Sequence, residues 1–231
     1  HGDVSLTESV TINQQAGTHA GGMTHSAKEL AALMVPGWNL GNTLEAGDAA
    51  NNFTNQGGLS SETAWQATKT TQKVIDEVKK QGFKSVRLPI SWVMGHLTDK
   101  AKMSIDEAWM ARVKEVVNYC LADGLYVIIN DHWDGGWLEV DGFSRSRDNF
   151  QVVDEATITE KTKQLKALWT NIAQAFKDYD EHVVFAGLNE PFQEYKLFNG
   201  HHQELTPILQ RYNQAFVDAV RATGGNNASR V

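Results

Sequence analysis

Residues 183–191 read Val-Val-Phe-Ala-Gly-Leu-Asn-Glu-Pro. The first part is a short continuous apolar run, the mark of a buried strand. Asn189 and Glu190 close it, and Pro191 prevents the strand from continuing. A carboxylic acid is therefore placed at the C-terminal end of a buried strand. In a (β/α)8 barrel that end of the strand carries the catalytic groups.

The rest of the chain repeats this unit. Apolar strands are predicted at residues 35–40, 85–90, 125–130 and 182–188. Amphipathic helices lie between them. One is predicted over residues 65–80, with apolar Val74, Ile75 and Val78 and a stop at Gly82. A second follows the capping-box pair Ser104 and Glu107 and buries Ile105, Trp109, Val113, Val116, Val117 and Cys120. Thr157 with Glu160 caps a third, carrying Leu165, Leu168, Trp169 and Ile172. Thr206 and Pro207 begin the last, which Gly224 ends. A short helix follows Ser26 and Glu29, and Ser229, Arg230 and Val231 read as the first residues of a fifth strand.

Strands alternating with helices imply a parallel sheet. The fold class expected is α/β, a (β/α)8 TIM barrel of which this chain covers roughly the first four βα units and the start of strand five. Residues 1–24 carry no periodicity and read as an N-terminal tail or strap; residues 25–231 form the N-terminal half of the barrel. A doubly wound open sheet is the alternative, but no Gly-x-Gly-x-x-Gly follows the first strand. Long aromatic loops at residues 45–56, 92–102 and 133–150 follow the first three strands, where such folds build sites.

Composition narrows the partners. The chain of 231 residues is 41% hydrophobic and 21% charged, with a net charge of -7 and no basic block. That balance argues against nucleic acid. No apolar run reaches the length of a membrane span. Seven Trp residues are many for this length, and sugar stacking is one use for them beside core packing. Trp65, Trp109 and Trp169 fall on helices and are expected in the core. Cys120, the single cysteine, reads as a buried inert thiol. His201 and His202 are adjacent and lack the spacing of a ligand pair, so no metal site is expected. The chain begins with His1 and shows no signal-peptide pattern, which reads as a processed product.

Polar residues collect at one end of every strand. The first strand supplies Asn39 and Asn42, then Glu45; the second, Arg87 ahead of Trp92; the third, Asn130, Asp131, His132 and Trp133; the fourth, Asn189 and Glu190. A parallel sheet brings these groups to one rim. An Arg inside an apolar strand must find an acceptor, because its charge cannot be shed. A carboxyl, an Arg, a His and an Asn on one rim suit glycoside hydrolysis. That reaction needs one carboxylic acid to protonate the leaving oxygen, a second carboxylate, and donors to the sugar 2-hydroxyl.

Four blocks carry a family resemblance. They are Gly-Trp-Asn-Leu-Gly-Asn-Thr-Leu-Glu-Ala at 37–46, Val-Arg-Leu-Pro-Ile-Ser-Trp at 86–92, Val-Ile-Ile-Asn-Asp-His-Trp-Asp-Gly-Gly-Trp at 127–137, and Leu-Asn-Glu-Pro at 188–191. In this order they resemble glycoside hydrolase family 5, most closely its bacterial endo-β-1,4-glucanases and related xyloglucan and mixed-linkage glucanases. The resemblance implies a retaining reaction without a cofactor, with Glu190 as general acid/base and Asn189 bonded to the sugar 2-hydroxyl. Arg87 would hold the nucleophile ionised, and His132 would line the cleavage point. Asn42 and Glu45 would bind sugar hydroxyls, and Trp137 is a candidate stacking platform. Trp92 and Trp133 are further candidates for substrate contact. Many members carry His-His where this chain has His132-Trp133, a difference that bears on fine specificity.

The resemblance also implies that the nucleophile, a Glu at the end of strand seven, lies outside this chain. Glu194 and Glu204 read as solvated rather than as substitutes. The isolated half is then expected to be inactive, with β-glucan as substrate and the missing C-terminal half-barrel or a second copy as protein partner. A non-catalytic glucan-binding half-barrel or assembly module, and a β-mannanase of the same family, are the alternatives. The family places the protein outside a bacterial cell, secreted or at the surface.

Overall fold

The computed structural model describes residues 22–47, 58–140, 154–192 and 202–231. Four parallel strands form its sheet: β1 (Gly37–Asn39), β2 (Ser85–Leu88), β5 (Tyr126–Asn130) and β6 (Val183–Ala186), in that spatial order. Register runs straight across, so Asn39 lies beside Arg87, Arg87 beside Ile128, and Ile128 beside Val184. A two-stranded antiparallel ribbon, β3 (Leu97–Asp99) and β4 (Ser104–Ile105), sits within the connection after β2 and has no counterpart in the expectations above. Helices α1 (Ala27–Leu33), α2 (Gln72–Lys80), α3 (Glu107–Ala122), α4 (Glu155–Ala175) and α5 (His202–Ala222) complete the βα alternation.

The two faces of the sheet differ. Val86, Leu88, Val127, Ile129, Val183 and Phe185 point to one side and are buried in a single core with Ile75, Val113, Val117, Leu165, Trp169, Ile172 and Tyr212. Alternation puts Arg87, Ile128, Val184 and Ala186 on the other side, and these are half-buried. Helices thus cover the outer face and leave an inner face whose C-terminal end carries the polar residues. Trp109 and Trp169 are fully buried, as expected. Each indole N–H finds a backbone carbonyl, of Ser91 at 2.9 Å and Gly187 at 3.1 Å. Cys120 is buried too, and burial pushes its thiol up to about 12, which makes it inert.

Several boundaries move from the expected ones, each for a local reason. The Ser26–Glu29 capping box is present. The helix predicted from Trp65 starts only at Gln72, because the N–H and C=O of Thr70 are taken by Glu62 and Arg112. Trp65 itself is 42% exposed and is not core. Asp106, not Ser104, caps α3, accepting from Trp109 N at 2.9 Å, since Ser104 belongs to β4. Asp154 likewise caps α4 through Thr157 N at 2.7 Å, in place of Thr157. The last helix begins at His202, so Pro207 falls inside it and removes one helical donor. Residues 229–231 do not open a strand. Ser229 closes a 3-10 turn, and Arg230 turns inward to the carbonyls of Asp180 and Val183. Glu194, His201, the N-terminal segment 1–21 and most of the loops after β1 and β5 lie outside the described residues.

Residues 22–25 are tied to the start of β6. Glu181, just before β6, accepts from Thr24 N at 2.5 Å, Thr24 Oγ1 at 2.9 Å and His25 N at 3.0 Å, and its own N–H donates to Gly22 O. Burial pushes its carboxyl up, but these bonds outweigh burial and hold it down at about 2, against 4.5 when free. The folded value lies below the unfolded one. This contribution is therefore complete above pH 4.5 and is lost as pH falls toward 2. Glu181→Gln is expected to cost about 1–3 kcal/mol at pH 7. Denaturant titrations should show the variant and the parent converging between pH 4.5 and 2; a constant gap across that window would exclude the carboxylate as the cause.

Candidate active site

The fourth connection is built to aim Glu190. Gly187 leaves β6 where a Cβ would meet the Phe216 ring at 2.6 Å, so only glycine lets the strand end pass α5. Glu190 and Phe192 both take left-handed backbone, at φ 45° and 65°. A non-glycine residue there costs about 1–3 kcal/mol and needs a firm surround. Phe192 supplies it: the ring is 1% exposed and packs 5.9 Å from Tyr212. Glu190, two residues earlier, is left exposed.

Arg87 joins the first, second and fourth strand ends. Its Nη1 donates to Asn39 Oδ1 at 2.8 Å and its Nη2 to Asn189 Oδ1 at 2.6 Å. Guanidinium offers donors only, so the Asn189 amide must turn its oxygen to Arg87 and its nitrogen away. That Nδ2 is buried and has no hydrogen-bond partner. An unpaired donor of this kind costs about 1–3 kcal/mol unless a ligand answers it.

His132 follows β5. Its N–H donates to Ile90 O at 2.9 Å, and its ring lies 3.5 Å from the Asn130 amide. Burial, with Arg87 adding repulsion, lowers the imidazole to about 4. It is therefore neutral at neutral pH and can both donate and accept. His132, Trp133, Trp137, Asn189 and Glu190 line one cleft, closed at its rear by Glu139, which is 6% exposed. Trp133 and Trp137 are each half-buried.

Not every expected residue joins them. Trp92 is fully buried and its indole N–H donates to Asn130 O at 2.8 Å. A ring without an exposed face cannot stack on a sugar, so Trp92 is core. Glu45 is 6% exposed and accepts Asn42 N at 2.6 Å and Thr43 N at 2.9 Å. Its carboxylate braces its own loop instead of facing substrate. Asn42 is exposed at φ 60°, on that braced turn. The residues given no role in the sequence reading are Asn39 and Asp131, visible there only as strand-end polar groups, and Asp134. The three consecutive left-handed residues Asp134, Gly135 and Gly136 explain why the turn needs its glycines.

Among the described residues no cluster of His, Cys, Asp or Glu could hold a metal, and no helix is long and apolar enough to cross a membrane. The site is one exposed carboxyl flanked by an Arg-bound amide, a neutral His and aromatic walls.

The chain is similar to known proteins. The family model Cellulase (glycosyl hydrolase family 5) matches residues 47–230. Endoglucanase A of Clostridium longisporum is 42% identical over 207 residues, which is 89% of this chain and 37% of that protein. A xyloglucan-specific β-1,4-glucanase of the family, from a ruminal metagenomic library and solved with XXLG, is 62% identical with a TM-score of 0.78 over 90% of this chain. A broad-specificity endoglucanase from Ruminococcus champanellensis with bound cellotriose is 41% identical with a TM-score of 0.76 over 89% of this chain. The chain spans 51% and 56% of those two structures, so it carries about half of the fold. The parallel α/β sheet is that of the barrel of these enzymes, and the chain belongs to glycosyl hydrolase family 5, the cellulase family.

Proposed function

We propose that this chain carries the acid/base half of a retaining endo-β-1,4-glucanase site, and that xyloglucan is among the β-1,4-glucans the whole protein cuts. One observation carries the reading: Asn189 Oδ1 is pinned by Arg87, which leaves a buried, unpaired Nδ2 donor beside Glu190. A sugar 2-hydroxyl next to the scissile bond is the acceptor that such a donor fits. The 62% identity to a xyloglucan-specific enzyme supports the substrate class.

In this reading Glu190 gives its proton to the glycosidic oxygen as the C–O bond breaks. A carboxylate from outside this chain, about 5–5.5 Å from it, attacks the anomeric carbon and forms a glycosyl-enzyme. Glu190, now ionised, takes a proton from water, and the resulting hydroxide displaces the enzyme carboxylate. Arg87 lies where its charge can keep that nucleophile ionised. Neutral His132 offers a bond at the cleavage point, and Trp133 and Trp137 supply stacking faces, with Asn42 further along the rim. Polymer substrates imply secretion or display at a bacterial surface.

Hydrolysis by the full-length protein tests the reading. Xyloglucan and mixed-linkage glucan should release reducing ends at internal bonds, and NMR should detect the β-anomer first. An α-anomer as first product would exclude the retaining mechanism, and cleavage confined to mannan would move the enzyme to the mannanases.

A further inference from the structure

Behind the cleft lie two carboxyl groups with no part in the chemistry above. Asp131 is 1% exposed and Asp134 3%. Asp134 accepts backbone N–H groups from Trp92 at 2.7 Å, Val93 at 2.6 Å and Met94 at 2.7 Å. A nest of three such donors suits an ion. Asp131 has other surroundings. Its Oδ2 accepts the Trp137 indole N–H at 3.1 Å. Its Oδ1 is buried and receives no N–H or O–H donor, while the Asp134 carboxyl is its hydrogen-bonding neighbour. Two carboxylates cannot bond one another, but a carboxylic acid and a carboxylate can. Burial pushes both carboxyls up; the charge on Asp134 then carries Asp131 well above the usual carboxylate range, while the bond with Asp131 and the three backbone N–H groups pull Asp134 back. The proton belongs to Asp131 and the charge to Asp134, whose ion the backbone donors hold.

We propose that Asp131 is a positioning residue that works as a neutral carboxylic acid, donating to Asp134, accepting from Trp137, and so fixing the Trp137 indole in the wall of the cleft. The Trp137 carbonyl is anchored separately by Lys161. What Asp131 adds is the plane of the ring. A stacking platform depends on that plane, and a site is as accurate as the shell that supports it. The benefit to sugar binding rests on the function proposed above; the fixing of the ring does not.

The discriminating variant is Asp131→Asn. An Asn amide has the neutral acid's pattern permanently, with N–H toward Asp134 and oxygen toward Trp137. The full-length protein is labelled with 15N at its Trp indoles, and the Trp137 signal is identified by its loss in Trp137→Phe. In Asp131→Ala that signal is expected to shift or broaden, and in Asp131→Asn to return to its place. A signal displaced equally by Asn and Ala would overturn the proposal, since an ionised Asp131 or a cation between the pair would then be the working state. A signal unmoved by Ala would overturn it as well.

The second readout is kinetic. On a soluble xyloglucan, Asp131→Ala is expected to raise KM about tenfold with kcat within about threefold, and Asp131→Asn to rescue KM. If Asp131→Ala does not fold, Trp137→Phe, which deletes the same bond from the other side, must raise KM similarly. A fall in kcat with KM unchanged would overturn the link to substrate binding. A full-length parent without hydrolytic activity would sink the glucanase reading, and the indole signal would still decide the role of Asp131.

Discussion

Replacing Glu190 with Gln in the full-length protein is expected to lower kcat on unactivated β-glucan by about a thousandfold or more, with substrate affinity little changed. A positioned general acid contributes about 10²–10⁴ in rate, and in the proposed mechanism Glu190 acts twice, first giving a proton and then taking one. Gln keeps the shape of the side chain and the strained backbone at φ 45° but cannot transfer that proton. The groups that would bind sugar, Asn189 and the cleft aromatics, are untouched by the change. The diagnostic contrast is leaving-group dependence. An aryl cellobioside with a strongly acidic phenol needs no protonation to depart, so the variant should form its glycosyl-enzyme on that substrate at near-parental rates. Added azide should then accelerate turnover, because an anionic nucleophile needs no general base. A variant that keeps more than a tenth of parental activity on polymer would remove Glu190 from the acid/base role.

The largest effect on stability is expected from Glu62→Ala, at about 3–5 kcal/mol. Glu62 is fully buried and accepts Arg112 Nε at 2.8 Å, Arg112 Nη2 at 2.7 Å and Thr70 N at 2.9 Å. Arg112 is 9% exposed and cannot lose its charge, so removing the carboxylate leaves its buried cation with only the partly exposed Glu115, at 2.6 Å, and the Thr70 carbonyl as partners. The loss would be a large share of a domain's usual 5–15 kcal/mol or so. The same contacts keep residues 64–71 out of helix and tie the Gly58–Thr63 turn to α3, so the variant should also loosen the segment leading into α2. Replacing both partners by apolar residues, as in Glu62→Leu with Arg112→Met, should recover most of the loss, because the cost lies in a buried charge whose buried partner is gone. Denaturant unfolding of parent, single and double variants measures this. A single variant within about 1 kcal/mol of the parent would show that the pair does not brace the fold.

The site was legible in proportion to how local its signals are. Glu190, Asn189 and His132 stand at the end of an apolar run and Arg87 interrupts one, and parallel pairing then had to bring them to one rim. Trp92 stands at a strand end too, and nothing in its neighbours distinguishes a core indole from an exposed one. Its burial depends on the Asn130 carbonyl, 38 positions along the chain. Glu45 misled for a similar reason: its carboxylate was free to serve substrate until its own turn folded back onto it. Asp131 looked like one more polar residue of a motif, and its proton is decided by the distance of solvent and the nearness of Asp134.

Periodicity and punctuation in the chain were enough for the order of the four sheet strands and the helices between them, the parallel sheet and the end of the sheet where polar residues gather, because a strand's burial and its stop are written within a few residues. The helix starts at Gln72, Glu107 and Glu155, the covered face of each Trp, and the protonation of Asp131 came from contacts between segments distant in sequence. Capping oxygens, desolvation and charge pairing act through space. Their partners have no fixed offset along the chain, so no local pattern can announce them.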